Sequence, residues 1–200
     1  MAVPYSKTKL GVESQFATNH LGHFVLTQKL MPYIKAAGKD ARVVNLTSDG
    51  YLVCQFKPDD INFSDGKSYD PFSGYGQSKT ANILFTKGLA KRGVTSFAVH
   101  PGVIFGTGLS EGMDFSLFDT IGEITKRNTG QDFVMGKPKN VEQGVATTIR
   151  AAVDPGLVGE SGSYLADVQV EDVRGHAKDQ ELVEKLWELS EQLVGEKFEI

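Results

Sequence analysis

Three residues of this 200-residue chain, Ser48, Tyr75 and Lys79, have side chains that together can do acid–base chemistry on a carbonyl or alcohol oxygen. Tyr75 and Lys79 are four residues apart, so on a helix they share a face and the ammonium can approach the phenol. A neighbouring positive charge favours the phenolate and lowers a pKa that is otherwise about 10, which suits a general acid or base. The Ser48 hydroxyl can donate a hydrogen bond to the same substrate oxygen. The set predicts machinery for moving a hydride to or from a carbonyl carbon.

Each of these residues also has a structural interpretation. Tyr75 could be an amphipathic residue at a helix start, Lys79 a solvated charge, and Ser48 a hydrogen bonder at a strand end. The segment Tyr5-Ser-Lys-Thr-Lys9 has the same Tyr-x-x-x-Lys form, so that pattern alone is weak. Asn19 supports the catalytic interpretation, because an Asn among apolar residues in mid-helix is unfavourable and needs a reason. Its alternative is a cap or a satisfied buried amide.

The first half of the chain alternates between helical and strand patterns. Apolar residues at helical spacing predict a helix from about Val12 to Ala37, and the β-branched segment Arg42–Thr47 predicts a buried parallel strand. The Pro-, Gly- and Asp-containing stretch Asp49–Gly74 is interpreted as a long loop. A helix from about Tyr75 to Lys91 and a strand Val94–Val99 follow.

The second half begins with a Gly- and Phe-rich segment, Gly102–Pro138, of weak periodicity. Further on, the pattern predicts a helix Val141–Val153, a short strand near Ser163–Leu165 and a last helix Gln180–Val194. Strands and helices in this alternation indicate βαβ units and a parallel sheet, whose chemistry lies outside the carboxyl ends of its strands. Ser48 and the turn Pro101-Gly102 occupy that position.

Composition excludes several classes of protein. The formal net charge is −4 and the basic residues are scattered, which argues against nucleic acid or an acidic membrane surface as partner. Cys54 is the only cysteine, so neither an intramolecular disulfide nor a Cys-based metal site is possible. No stretch approaches the ~18 apolar residues of a membrane span. These features predict a cytoplasmic, soluble chain.

Four segments together closely resemble the short-chain dehydrogenase/reductase superfamily: Thr18–Phe24, Arg42–Ser48, Tyr75–Asn82 and His100–Val103. The branch they resemble is the retinol-dehydrogenase-like and WW-domain-oxidoreductase-like group. The resemblance runs from about Ser14 to the strand near Tyr164 and implies an α/β, doubly wound parallel sheet of Rossmann type.

The resemblance also implies the roles of the site residues. Tyr75 is the catalytic acid/base, Lys79 lowers its pKa and holds the nicotinamide ribose, Ser48 orients the substrate carbonyl, and Asn19 anchors a water in the proton relay. The implied cofactor is NAD(P), with NADP favoured by the branch, and the implied substrate is a small apolar alcohol or carbonyl compound.

The implied contacts with the nicotinamide end of the cofactor come from Tyr75, Lys79 and the turn after the second strand, namely Pro101, Gly102, Val103 and Thr107. The family pattern Pro-Gly-x-x-x-Thr is one residue longer here, Pro101-Gly-Val-Ile-Phe-Gly-Thr107, which makes the role of Thr107 less secure.

The sequence lacks two family motifs, a Gly-rich turn after the first strand and an Asn-Asn-Ala-Gly stretch after the fourth. Its opening, Met-Ala-Val-Pro-Tyr, resembles the sequence just after the second motif. We therefore expect residues 1–200 to be a single domain, the C-terminal catalytic half of such an enzyme, with about three strands. The alternative is an inactive fragment or an interaction module. An unpaired edge along Arg42–Thr47 would favour a homo-oligomer.

Three further patterns each allow a functional and a structural interpretation. Gly102-Val-Ile-Phe-Gly106-Thr-Gly108 has the spacing of a dinucleotide loop but leads into no clear helix. His20 and His23 lie three apart without an evident third ligand, so packing or hydrogen bonding is a better interpretation than a metal. The apolar residues between Phe115 and Ile121 fit a substrate lid and a core equally well.

Overall fold

The computed structural model describes residues 1–111 and 113–200 of the chain. Within these two ranges there are six strands: β1 (Val43–Leu46), β2 (Ser96–Val99), β3 (Val103–Ile104), β4 (Pro138–Lys139), β5 (Tyr164–Ala166) and β6 (Gln169–Glu171). The main sheet has the order β1-β2-β5-β6, in which β1, β2 and β5 are parallel and β6 is antiparallel to β5. Strands β3 and β4 form a separate parallel pair. The three parallel strands are those that the sequence predicts.

The described residues contain six α-helices: α1 (Ser14–Phe16), α2 (Gly22–Ala36), α3 (Pro71–Lys91), α4 (Ile121–Thr129), α5 (Val141–Val153) and α6 (Gln180–Val194). Short 3-10 turns cover Asp49–Leu52, Gly108–Ser110, Phe115–Thr120, Pro155–Leu157 and Gly175–Ala177. Helix α3 contacts β1 and β2, with α6 packed against it, whereas α5 contacts β1, β2 and β5. The fold is therefore α/β, as predicted, and α5 and α6 have the predicted bounds.

Helix α3 carries Tyr75 and Lys79, and it begins four residues earlier than the sequence predicts. The Asp70 side chain accepts a hydrogen bond from the backbone N–H of Ser73, 2.7 Å away, and Pro71 occupies the first helical position. A carboxylate cap followed by Pro is a strong start for a helix, because Pro lacks an N–H that would have no partner there. The prediction of a loop up to Gly74 is therefore wrong at this end. Tyr75 lies in the second turn of α3.

The helix predicted over Val12–Ala37 is interrupted by one wide turn. Glu13 caps α1, and the residues Ala17–Leu21 form a π-helical turn that leads directly into α2. Asn19 lies within that turn. Wide turns of this kind inside α-helices occur mostly at functional sites, and sequence periodicity does not reveal them.

The largest core cluster lies between α2, α3 and α6. Its centre is aromatic, with Phe24, Phe85 and Trp187 in mutual contact at ring-centroid distances of 5.4 to 5.9 Å. Phe198, beyond the end of α6, stacks on Trp187 at 4.9 Å. Each buried aromatic ring contributes about 1.5–3 kcal/mol through removal of its surface from water. This packing fixes α3 against α2 and α6.

Within the described part of the chain, no helix is long and apolar enough to cross a membrane.

Candidate active site

Ser48 follows β1 at the carboxyl end of the parallel strands, where the sequence places it. It caps the 3-10 turn Asp49–Leu52, and its Oγ accepts a hydrogen bond of 3.0 Å from the N–H of Gly50. Thr47 connects the same strand end to α3, because its hydroxyl donates to the carbonyl of Lys79 at 2.8 Å. The strand end and the helix are therefore held in a fixed relation.

Tyr75 approaches Ser48 across the backbone of Gly50. A Cβ atom placed on Gly50 would lie 2.6 Å from Cε1 of Tyr75 and 3.4 Å from Oγ of Ser48. Tyr75 is only 6% exposed. Only glycine allows the phenol ring to pack this closely beside the Ser48 hydroxyl, so the structure brings together the two hydroxyl groups that the sequence singles out.

Lys79 lies one turn further along α3, also buried. Its Nζ is 5.6 Å from the centroid of the Tyr75 ring and donates a 3.2 Å hydrogen bond to the carbonyl of Leu46. Burial lowers the pKa of Lys79 to about 8. The ammonium faces the ring and the end of β1.

The pKa of Tyr75 differs from the sequence-based expectation. The pKa of Tyr75 is raised to about 12, mainly by burial and also by the charge of Asp49, against a lowering by the nearby Ser48 hydroxyl. Lys79 does not lower this pKa as expected, because its Nζ lies 5.6 Å from the centroid of the ring and bonds to the Leu46 carbonyl. Desolvation of the phenolate outweighs the remaining interactions.

Asn19 joins this group through α3. Its amide nitrogen donates a 3.0 Å hydrogen bond to Oγ of Ser78, whose hydroxyl in turn donates to the carbonyl of Tyr75 at 2.7 Å. Asn19 is thus a half-buried amide with a polar partner, which is the structural alternative raised for it. Its contact runs to the backbone of Tyr75 through Ser78.

The turn after β2 lies beside the same strand ends. Gly102 has a φ of +96°, which favours glycine, and a Cβ there would lie 2.5 Å from Cδ of Lys139. Pro101 precedes it, and Val103 begins β3. Thr107 caps the turn Gly108–Ser110 through its side chain.

An apolar cavity opens in front of the two hydroxyl groups. Its lining includes Ser48, Asp49, Gly50 and Tyr75 at the polar end and Gly102, Val103 and Thr107 along one side. The apolar wall consists of Met1, Val53, Phe72, Ile104, Phe105, Leu109, Met113, Phe115, Phe118, Ile121, Phe133 and Met135. Phe115, Phe118 and Ile121 therefore line the cavity, and Ile121 also packs in a buried cluster with Phe72 and Met113. The segment thus both lines the cavity and contributes to a buried cluster, and its role as a substrate lid stays a prediction.

The other two patterns are structural. The glycines from Gly102 to Gly108 lead only into a three-residue 3-10 turn, too short to present a helix N-terminus to a phosphate. His20 is fully buried, and its Nε2 lies 2.7 Å from Oγ of Ser190. Among residues 1–111 and 113–200 no group of three or more His, Cys, Asp or Glu side chains could hold a metal ion.

Two site residues were missed by the sequence analysis. The Ser48 hydroxyl donates a 3.1 Å hydrogen bond to Oδ1 of Asp49. His100 follows β2, and its Nδ1 accepts a 3.3 Å hydrogen bond from the N–H of Asp49. The available signal was position, since Asp49 and His100 each come just after a parallel strand, where polar side chains meet.

Comparison with known proteins places this geometry in a family. The chain is 36% identical over 207 residues to Retinol dehydrogenase 12 of Mus musculus, covering 100% of this chain and 60% of the relative. It is 37% identical to a protein of Streptomyces lividans named "Probable oxidoreductase", covering 94% of this chain and 67% of that protein. The chain belongs to the short-chain dehydrogenase/reductase superfamily, in its retinol-dehydrogenase-like branch.

Further comparisons agree with this assignment. Retinol dehydrogenase 14 of Homo sapiens is 36% identical over 196 residues, with 96% of this chain and 55% of the relative covered. A crystal structure of an uncharacterized protein from Mycobacterium Paratuberculosis superposes with a TM-score of 0.59 at 32% identity, over 100% of this chain and 65% of that one. No family model matches the chain. The chain spans about 60% of the length of the curated relatives it matches.

Proposed function

We propose that this chain is the catalytic half of an NAD(P)-dependent oxidoreductase that interconverts an alcohol and a carbonyl compound, with Tyr75 as acid/base. The single observation that carries the proposal is the position of the Ser48 and Tyr75 hydroxyl groups at the polar end of a cavity whose remaining walls are apolar. A substrate carbonyl or hydroxyl group placed there meets both, while the rest of an apolar molecule fills the cavity. The relatives named retinol dehydrogenases support this substrate class.

The residues present fit the nicotinamide end of a cofactor. Lys79 has three N–H donors, and its one hydrogen bond to the Leu46 carbonyl leaves others for ribose hydroxyl groups. The turn Pro101-Gly102 exposes backbone beside the same strand ends, with Val103 and Thr107 along the cavity. When bound, the nicotinamide supplies or accepts the hydride. The described residues contain no glycine-rich turn leading into a helix, so pyrophosphate binding requires groups beyond those described. We favour NADP over NAD as the cofactor, because the resemblance to the retinol-dehydrogenase-like branch implies it.

The proton is handled by this chain's own residues. In carbonyl reduction, Tyr75 transfers its proton to the developing alkoxide and Ser48 donates a hydrogen bond to the same oxygen. A phenol whose pKa is about 12 remains protonated at neutral pH and is ready to act as the acid. In alcohol oxidation the phenolate is needed. The Lys79 side chain stabilises the phenolate only in its protonated form. This form predominates below the Lys79 pKa of about 8. Asn19 is proposed to anchor a water in the path of this proton.

The test is cofactor-dependent turnover of a matched pair, cyclooctanol and cyclooctanone, followed by the ultraviolet absorbance of the reduced nicotinamide. The assay uses the 200-residue chain and a chimera that places before it the N-terminal part of the mouse relative. We expect turnover in the chimera, faster with NADP(H) than with NAD(H). Absence of turnover in a folded chimera that binds the cofactor would contradict the proposal.

An interaction module is the second candidate, and one observation favours it. Strand β1 forms an edge of the main sheet, and Leu46 on it is 44% exposed. Such an edge can pair with another strand. Turnover in the assay above would decide for the enzyme.

A further inference from the structure

Among the residues that the structure describes, Asp49 is the one carboxylate lining the polar end of the cavity. It is half-buried, and it lies between Ser48, whose hydroxyl it contacts, and His100, whose ring faces it. A carboxylate beside a catalytic hydroxyl opposes the negative charge that develops on a substrate oxygen during carbonyl reduction. Its presence therefore calls for a role that the acid–base chemistry of Tyr75 does not supply.

The hydrogen bonds of Ser48 can be counted. A hydroxyl group has one hydrogen to donate and two lone pairs to accept with. A carboxylate can only accept, so the 3.1 Å contact between Oγ of Ser48 and Oδ1 of Asp49 uses the Ser48 hydrogen. The N–H of Gly50 occupies one lone pair at 3.0 Å. What Ser48 still offers to the cavity is one lone pair, which makes it an acceptor.

His100 holds Asp49 in this position. The Asp49 N–H donates to Nδ1 of the ring at 3.3 Å, so a neutral ring carries its proton on Nε2. That nitrogen lies 3.7 Å from Oδ2 of Asp49, the oxygen that does not contact Ser48. His100 is only 8% exposed, and the ion pair of Lys139 with Asp167 lies close enough to affect its charge. The ring therefore holds the backbone N–H of Asp49 by a hydrogen bond and lies beside its carboxylate.

We infer that Asp49 is a positioning residue that sets which form of the substrate the site prefers: by taking the Ser48 hydrogen, it presents Ser48 as an acceptor and favours an alcohol over the corresponding carbonyl compound. An alcohol donates its hydroxyl hydrogen to the free lone pair of Ser48. A carbonyl oxygen can only accept, so it must first draw the Ser48 hydrogen away from Asp49. The preference for binding an alcohol over a carbonyl compound follows from the hydrogen-bond geometry alone. Its meaning for catalysis rests on the proposed function.

The test measures binding rather than turnover. Dissociation constants of cyclooctanol and cyclooctanone are determined by titration calorimetry for the 200-residue chain without cofactor. Wild type should bind the alcohol more tightly than the ketone. Asp49→Ala should lower that preference by about fivefold to tenfold, because one hydrogen bond to a charged group no longer has to be broken for the ketone. Asp49→Asn, which keeps the shape, should shift the preference in the same direction by less.

Ser48→Ala provides the control that separates positioning from general disturbance. When Ser48→Ala is already present, adding Asp49→Ala should alter the preference for the alcohol over the ketone by less than about twofold. The reason is that the Ser48 hydroxyl hydrogen, which Asp49 orients, is then absent. An unchanged preference in Asp49→Ala, an equal change in the Ser48→Ala background, or failure of both probes to bind would overturn the inference. The two proposals can fail separately. If Asp49→Ala lowers the preference for the alcohol but the chimera shows no turnover, the role of Asp49 is supported and the proposed function is contradicted.

Discussion

Gly50 lies between the two hydroxyl-bearing side chains on which the chemistry depends, and the contact is set by single atoms. The Tyr75 ring occupies the space that a methyl group on Gly50 would fill. The N–H of Gly50 also fixes Oγ of Ser48. The position of the phenol relative to Ser48 is therefore determined by a residue that has no side chain and that the sequence pattern does not single out.

Replacement of this glycine should disturb the site specifically. In Gly50→Ala the new methyl group would lie 2.6 Å from Cε1 of Tyr75, so the ring must move away from Ser48. We expect at least a tenfold loss of turnover in the chimera and a free energy of unfolding lower by about 1–3 kcal/mol, the usual cost of overpacking. Turnover and urea denaturation measure the two effects.

Gly122→Ala is the matched control, because no atom of the described residues lies within 4 Å of a Cβ at this position in α4. Alanine has the higher helix propensity, so this variant should be as stable as wild type or slightly more stable. Equal losses in the two variants would show that the effect of Gly50→Ala is not due to contact with Tyr75.

The N-terminal helix shows how an element combines positioning with stability. Its wide turn Ala17–Leu21 carries Asn19 towards α3 and His20 into the core. The hydroxyl of Ser190 donates to the Leu186 carbonyl, so it accepts from Nε2–H of His20, and Nδ1 remains without a partner in the described structure. The buried ring is therefore neutral.

This burial predicts a pH dependence of stability. Burial lowers the pKa of His20 to about 3, whereas in the unfolded chain it returns to about 6.5. Below about pH 6.5, His20 binds a proton in the unfolded state but not in the folded state. The contribution of the neutral His20 to the free energy of unfolding is therefore complete above that pH and decreases towards pH 3. The expected loss from His20 is about 2 kcal/mol between pH 7 and 5.

Urea denaturation of His20→Gln at both pH values measures this contribution. The variant should lose less stability than wild type on acidification, by up to the same amount. His23→Gln is the control, because His23 is half-buried and its pKa is lowered less. A His20→Gln variant with the wild-type pH dependence would contradict the assignment.

Elements with a continuous apolar pattern could be predicted from the sequence, and those set by local caps could not. The amphipathic stripes of α5 and α6 gave their full bounds, and the short apolar strands β1, β2 and β5 were found. The start of α3 was missed because Asp70-Pro71 fits a loop and a capped helix equally well. Strands β5 and β6 are joined through Asp167 and Val168, both with positive φ, in place of the usual Asn-Gly or Asp-Gly signal.

The same limit holds for the candidate site. Types and spacing identified Ser48, Tyr75 and Lys79, and these meet at one strand end. The pKa of Tyr75 was not predictable, because it depends on how completely the folded chain removes the phenol from water. The contacts of Asp49 and His100 join residues distant in sequence, which no spacing rule reveals.

At the scale of the whole molecule, β1 leaves one side of the sheet open. The N–H groups of Val43 and Thr47 donate hydrogen bonds to carbonyls on the β2 side. Because successive residues of a strand direct their backbone groups to alternate sides, those of Val44 and Leu46 face away from β2. There the Leu46 carbonyl accepts from Lys79 and from Asn82.

Exposed apolar residues also lie on two helices. They are Leu26, Leu30 and Tyr33 on α2 and Val141, Val145, Ile149 and Val153 on α5. The N-terminal segment packs elsewhere, for example on Tyr69, which donates to the Val3 carbonyl.

We expect the 200-residue chain to self-associate through this edge. Leu46→Lys places a charge on the exposed edge, which should oppose strand pairing and raise the monomer fraction measured by light scattering. Val158→Lys is the control, because Val158 is 81% exposed and lies outside the sheet. A wild-type chain that is a monodisperse monomer, or equal effects of the two substitutions, would contradict the role of the edge.

The central claim is that Tyr75 is the acid/base of a hydride-transfer enzyme, and the decisive measurement compares two tyrosines of the same sequence pattern. Tyr75→Phe and Tyr5→Phe each remove one hydroxyl from a Tyr-x-x-x-Lys segment, but only Tyr75 lines the cavity. In the chimera, we predict that Tyr75→Phe lowers kcat by about 10²–10⁴-fold with cofactor affinity unchanged, while Tyr5→Phe stays within about twofold of wild type. A Tyr75→Phe variant with wild-type kcat would contradict the account.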